Sequence, residues 1–173
     1  MANTILLLNI LVKSLIEIEE NDSEILKWNR NKIPFCHRLA CNIENLYKEG
    51  KCILCPIVEN KNKAYCDILL TDFSSNKILA IFYKKQYFNK KEQNQLIDMT
   101  KKNKKQLILG LTVNPKKNYF LIYRTTSEKM EYYHFLRNKK ILVKLKNKNL
   151  VTKDLTPSLI FSKKQKVKEK NEI

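Results

Sequence analysis

The sequence predicts an α/β domain: a mixed central sheet flanked by helices, with an extra helix at the N-terminal end. Three observations predict it. Before Gly50, apolar residues recur near the helical period. After Gly50 they gather into short strand-like runs. A single polar, helix-forming stretch, "NKKEQNQLIDMTKKNKK", then divides the first three runs from those that follow. A chain of 173 residues with 43% hydrophobic content has the material for one domain with a core.

In residues 3–20, Ile5, Leu8, Leu11, Leu15 and Ile18 form the apolar stripe of an amphipathic helix. "ENDSEIL" interrupts it, with Asp22 or Ser23 available to cap a short turn. Proline suits a first helical turn, so a second helix is expected to start at Pro34. It carries Phe35, Leu39, Ile43, Leu46 and Tyr47 on one side and ends at Gly50. Strands are expected at 52–59, 65–71 and 77–84, joined by the turns "ENKNK" and "DFSSNK". The polar helix uses Leu96, Ile97 and Met99 as its apolar contacts. "QLILGLTV" and "NYFLIYRTT" follow as a hairpin about "NPKK". "EYYHFL" and "ILVKLKNKNLV" add further strand, the latter with Lys144, Lys146 and Lys148 on one face. Residues 1–161 are therefore assigned to a single domain. Residues 162–173 form a basic tail with little to bury, expected to be disordered.

The formal net charge of +17 is unevenly spread. Residues 1–60 hold seven Lys/Arg against eight Asp/Glu, residues 84–105 eight against two, and residues 137–173 twelve against three. Thirty lysines against four arginines reflect codon bias, but codon bias does not confine the excess to two blocks. The expected partner is a polyanion, nucleic acid first (DNA before RNA) and an acidic membrane surface second. Nothing specifies an oligomeric state.

Five cysteines without a recognisable secretory signal imply reduced thiols and a cytoplasmic location. Cys52 and Cys55 form a CxxC, but in a strand their side chains diverge, so structural thiols are expected rather than a zinc or redox site. "ILLLNILVKSLIEI" is broken by Lys13 and Glu17, short of the ~20 apolar residues of a membrane span.

One constellation bears chemistry. Hydrolysis of a phosphodiester needs carboxylate oxygens to hold Mg²⁺ and a lysine to steady the developing charge. Asp67, in "YCDILL", and Lys84, in "ILAIFYKK", stand on consecutive predicted strands. The position sharing Lys84's face two residues earlier, where a second acid would serve, is Phe82. Taken in order, "HRLACNIENLY", "CDILLTD", "ILAIFYKK", "NQLIDMT" and "LILGLTV…YFLIYR" resemble the restriction-endonuclease-like, PD-(D/E)XK nuclease superfamily. The similarity is to its small stand-alone bacterial members and to the N-terminal nuclease domains of type I restriction subunits. It covers about residues 31–125.

The resemblance implies a restriction-endonuclease-like core with its site at the ends of the second and third strands. Asp67 matches the metal-binding aspartate and Lys84 the catalytic lysine, with Mg²⁺ as cofactor if the site is active. Three departures count: Cys66 stands for the usual proline, Phe82 for the usual Glu or Asp, and Lys32 and Ile33 lie where another acid is often found. One carboxylate holds a hydrated divalent ion poorly, and an adjacent phenylalanine makes charge there costlier.

The first expectation is thus a nucleic-acid-binding protein with a degenerate, inactive or weakly active nuclease site. A second is an active Mg²⁺-dependent nuclease with its carboxylate relocated to Glu59 or Glu92, although a solvated surface acid accounts for either. A third is a non-catalytic interaction protein using the fold as scaffold. Lys84, Lys85, Lys90 and Lys91 are the candidate nucleic-acid contacts, with Tyr83, Tyr87 and Phe88 available to stack on bases or to pack in the core. His37 is expected to serve a local contact, and Arg38 either a phosphate or an ion pair.

Overall fold

The computed structural model describes residues 4–28, 31–54 and 66–146. Three helices come first: α1 (Thr4–Asn21), α2 (Glu24–Lys27) and α3 (Lys32–Leu46). Strands β1 (Gly50–Leu54), β2 (Ile68–Asp72) and β3 (Lys77–Lys84) follow. Helix α4 (Lys90–Lys102) leads to β4 (Leu107–Val113), β5 (Tyr119–Thr125), β6 (Met130–Leu136) and β7 (Ile141–Lys144). The seven strands form one open sheet in chain order. Every neighbouring pair is antiparallel except β3 and β4, which run parallel. Only a crossover can join parallel neighbours, and α4 is that crossover.

Burial follows from this order. Strand β3, "KILAIFYK", is apolar without alternation because both its faces are covered. On one face Leu79, Ile81 and Tyr83 pack with α1 and α3 through Leu11, Leu15, Phe35 and Leu39. On the other, Ala80 and Phe82 pack with Phe88 and with Leu96 of α4. Gly110 of β4 lies under that helix: a Cβ there would come within 3.2 Å of Leu96, Phe88 and Tyr123. Among the described residues, no helix is long and apolar enough to cross a membrane.

Several expectations need correction. Helix α3 ends at Leu46, not Gly50, and Gly50 opens β1. A Cβ on Gly50 would sit 2.0 Å from the Thr71 carbonyl oxygen, so the residue serves close strand approach. The helix starts at Lys32, which leaves Pro34 inside its first turn, where no N–H is required. Ile5 (69% exposed) and Leu46 (41%) are outside the core; Leu7 and Ile10 of α1 and Cys36 and Ala40 of α3 are inside it. The strand expected over 52–59 is observed to Leu54, and 55–59 lie outside the described residues, as do Cys55, Glu59, Lys148 and the tail. Strand β7 stops at Lys144, so Lys146 is not part of a strand face. The "DFSSNK" turn forms as expected: the Asp72 carboxylate accepts the Asn76 backbone N–H at 2.8 Å, and Ser75 takes φ 63°. In "NPKK", the Asn114 side chain accepts the Lys116 N–H at 2.9 Å.

Candidate functional site

Asp67 immediately precedes β2 and donates its backbone N–H to the Ile81 carbonyl at 2.8 Å, continuing the β2–β3 ladder by one step. Its side chain prolongs the ladder further. Oδ2 accepts the Tyr83 backbone N–H at 2.7 Å, in the place a main-chain carbonyl would take. Oδ1 meets the Lys32 ammonium at 2.7 Å, and the aspartate side chain is 15% exposed against 41% for the lysine. Lys32 is the first residue of α3. Both carboxylate oxygens are thereby engaged, one by a backbone donor and one by a full positive charge.

Phe82 is 8% exposed in the apolar cluster beneath α4. Lys84, on the same face, extends over the Phe88 ring at 5.7 Å to the centroid. Its ammonium donates to both oxygens of Glu92, at 2.6 and 2.9 Å. Glu92 is at the same time the third residue of α4 and closes its capping box: Oε2 accepts the Asn89 N–H at 2.8 Å, while the Asn89 side chain accepts the Glu92 N–H at 3.0 Å. Burial raises the Glu92 carboxyl pKa, but the Lys84 ammonium and the Asn89 N–H together bring it below its ordinary value.

Asp67 and Lys84 thus have separate partners on helices that cover opposite faces of the sheet: Asp67 on α3, Lys84 on α4. Lys85 alternates to the α3 side and donates to the Trp28 carbonyl at 3.2 Å. Lys90 and Lys91 are exposed in the first turn of α4. The helix dipole disfavours cations there, so helix stability gives no reason for this pair, in contrast to Lys101 and Lys102 in the last turn.

Among the described residues, the donor set does not suit Mg²⁺. That ion demands several hard oxygens in octahedral array. Of the carboxylates considered, Asp67 is neutralised by Lys32, Glu92 is committed to Lys84 and a helix cap, and Glu59 lies outside the described residues. Among the described residues, no group of three or more His, Cys, Asp or Glu side chains could hold a metal ion.

Of the two roles left open for the aromatics, packing in the core is the one that Tyr83 and Phe88 take. Tyr83 and Phe88 are core residues, 3% and 6% exposed. The Tyr83 hydroxyl donates to Asn31 Oδ1 at 3.0 Å, and burial pushes its pKa up. Tyr87 shares a hydrogen bond of 2.8 Å with the Tyr119 hydroxyl. Trp28, which the sequence reading passed over, is 53% exposed, and its carbonyl accepts from Lys85. The available signal was a lone tryptophan between polar residues, "KWNR", after a short helix.

The remaining candidates make local contacts. Arg38 pairs with Asp22 at 2.9 Å, and His37 Nδ1 lies 4.0 Å from Cys41 Sγ one turn along α3. Burial raises the Cys36 and Cys52 thiols to about 12, so they stay protonated at neutral pH. The chain matches no family model, no curated protein and no solved structure.

Proposed function

We propose that this chain binds nucleic acid on a restriction-endonuclease-like core whose metal corner carries a lysine ammonium where a nuclease would seat a divalent ion. The observation that carries the reading is the 2.7 Å Lys32–Asp67 pair. The aspartate that resembles the superfamily's metal ligand is neutralised by a residue standing where that superfamily often has another acid. Phe82, at the position where a second acid would serve, is buried in the apolar cluster on the α4 side and offers no oxygen.

The element order supports the resemblance: helix α3, antiparallel β1, β2 and β3, crossover α4, then β4 parallel to β3. Binding is supported by the charge distribution. Most acids of the described residues are already matched by a cation or a hydrogen bond, Glu19 by Arg137 and Glu20 by Lys140 among them. Lys90, Lys91, Lys102, Lys104 and Lys105 have no carboxylate partner among the described residues. Trp28, exposed beside the Lys85 contact, offers an aromatic face to an unpaired base.

The test is retention of labelled single- and double-stranded oligonucleotides over a salt series. Binding that weakens steeply with salt, and weakens further in Lys90→Gln/Lys91→Gln, supports the reading. No retention at low salt would remove it in favour of a protein-interaction scaffold.

A further inference from the structure

At the end of the sheet opposite Lys84, a concavity opens where β3 and β4 begin. Strand β3 spans Lys77–Lys84, so the two regions are on the order of 20 Å apart. The cavity has a volume of about 470 Å³, within the range of small-molecule sites. It is bounded by the start of α1, the loop after α4 and the β5–β6 hairpin. One wall is polar and basic: Arg124, Lys104, Lys105, Gln106, Thr4 and Ser127. Another is apolar: Leu7, Ile78 and Leu107. No Asp or Glu is among its described lining residues.

The cations here are underused. Arg124 donates from Nη1 to Glu131 Oε2 at 3.1 Å, but its Nε is buried and has no acceptor among the described residues. The guanidinium as a whole places a permanent positive charge in the cavity lining, and an oxyanion is the group that complements it. Glu131 does not neutralise Arg124 alone, because it also accepts from Lys144 Nζ at 2.6 Å and from the Tyr133 hydroxyl at 3.0 Å. Lys104 and Lys105 have no ion-pair partner among the described residues, and both follow the end of α4 at Lys102. A shallower concavity of about 370 Å³ shares Lys104, Lys105 and Gln106 and adds Lys77, Lys101 and Lys102, so positive charge continues outside the mouth. Glu128, in the same hairpin, is the nearest acid in sequence and does not line the cavity.

We propose that this cavity binds an organic phosphate of nucleotide size. Its phosphate lies against Arg124, Lys104 and Lys105, and its organic part lies on Leu7, Ile78 and Leu107. The volume exceeds what a bare oxyanion requires, and the apolar wall suits a ring rather than water. The same group could arrive as a free phosphate ester or as the phosphorylated end of a strand. The proposal does not rest on the reading of the Asp67 corner, and its residues are distinct from Lys90 and Lys91.

The test is calorimetric titration of the full chain with adenosine 5′-monophosphate, adenosine and inorganic phosphate. Saturable one-to-one binding of the monophosphate, displaced by inorganic phosphate and at least about tenfold weaker for adenosine, is expected. Lys104→Gln/Lys105→Gln, at exposed positions where folding is not at risk, is expected to weaken binding about tenfold. Lys90→Gln/Lys91→Gln is expected to leave it unchanged. Competition by a 5′-phosphorylated oligonucleotide but not its unphosphorylated form identifies a strand end as the source; competition by neither identifies a free ester. The proposal is overturned if no saturable binding occurs, if adenosine binds as well as its monophosphate, or if both lysine pairs weaken binding equally.

Discussion

Lys32 and Asp67 are thirty-five positions apart in sequence and 2.7 Å apart in space, and that pair decides how the corner is read. Asp67→Ala removes both the acceptor of the Tyr83 N–H and the partner of Lys32, and is expected to destabilise the fold by about 1–3 kcal/mol in urea denaturation. Lys32→Met leaves the Tyr83 hydrogen bond in place and exposes the carboxylate to solvent, so its cost is expected to be smaller, about 0–1 kcal/mol. Equal costs for the two would contradict the dual role assigned to Asp67. The sequence located Asp67 near β3 through strand order. It did not show the partner, because an ion pair between a helix start and a strand end leaves no periodic trace.

Glu131 makes a second residue-level prediction. The Lys144 hydrogen bond holds its carboxyl below the ordinary Glu value of 4.5 against the opposing effect of burial, with Tyr133 and Arg124 assisting. A carboxyl with a depressed folded-state pKa contributes stability above its unfolded value, and that stability is lost as pH falls through the folded value. The melting temperature of the wild type is therefore expected to fall from about pH 5 to about pH 3 more steeply than that of Glu131→Gln. Parallel curves would show that Glu131 is not linked to acid unfolding.

Helix α4 joins the two parallel strands, and its start is secured by the Asn89–Glu92 capping box. Asn89→Ala is expected to cost about 1 kcal/mol by chemical denaturation. It is also expected to loosen Lys84, because Glu92 serves the cap and the lysine together. At the other side of the sheet, Gly50→Ala would press a methyl group onto the Thr71 carbonyl, at a cost of about 1–3 kcal/mol. Amide exchange in β1 and β2 would report that change first.

The elements themselves were largely legible. The apolar run "KILAIFYK" marks a central strand, and "NPKK" marks the hairpin between β4 and β5. Their ends were not. Gly50 looks like a helix terminator because glycine favours such positions, yet its missing Cβ is used four residues beyond the helix end. The stripe of α1 is buried at Leu8, Leu11, Leu15 and Ile18 and departs from the expectation only at Ile5, which lies at the exposed beginning of the helix, while Leu7 joins the core. Periodicity registers spacing but not which turn of a helix reaches the sheet.

For the molecule as a whole, charge and topology point the same way. A mixed sheet flanked by helices was legible from the order of apolar runs; that β3 and β4 are its parallel pair, with α1 and α3 on one face and α4 on the other, required the fold. The positive excess was legible from composition alone, but its placement required the fold. Lys84 and Lys85, adjacent in sequence, are directed to opposite faces, while Lys104 and Lys105, in the loop after α4, line one cavity with Arg124 of β5. If Lys90 and Lys91 contact phosphates, neutralising both is expected to lower the slope of log affinity against log salt by about two. An unchanged slope would remove those residues from the interface.

The most direct measurement is cleavage of labelled DNA and RNA, single- and double-stranded, by the wild type and by Asp67→Ala over a Mg²⁺ titration. A corner in which Lys32 has taken the place of the ion predicts no Asp67-dependent cleavage at any metal concentration. Mg²⁺-dependent cutting by the wild type that is abolished in Asp67→Ala would contradict it.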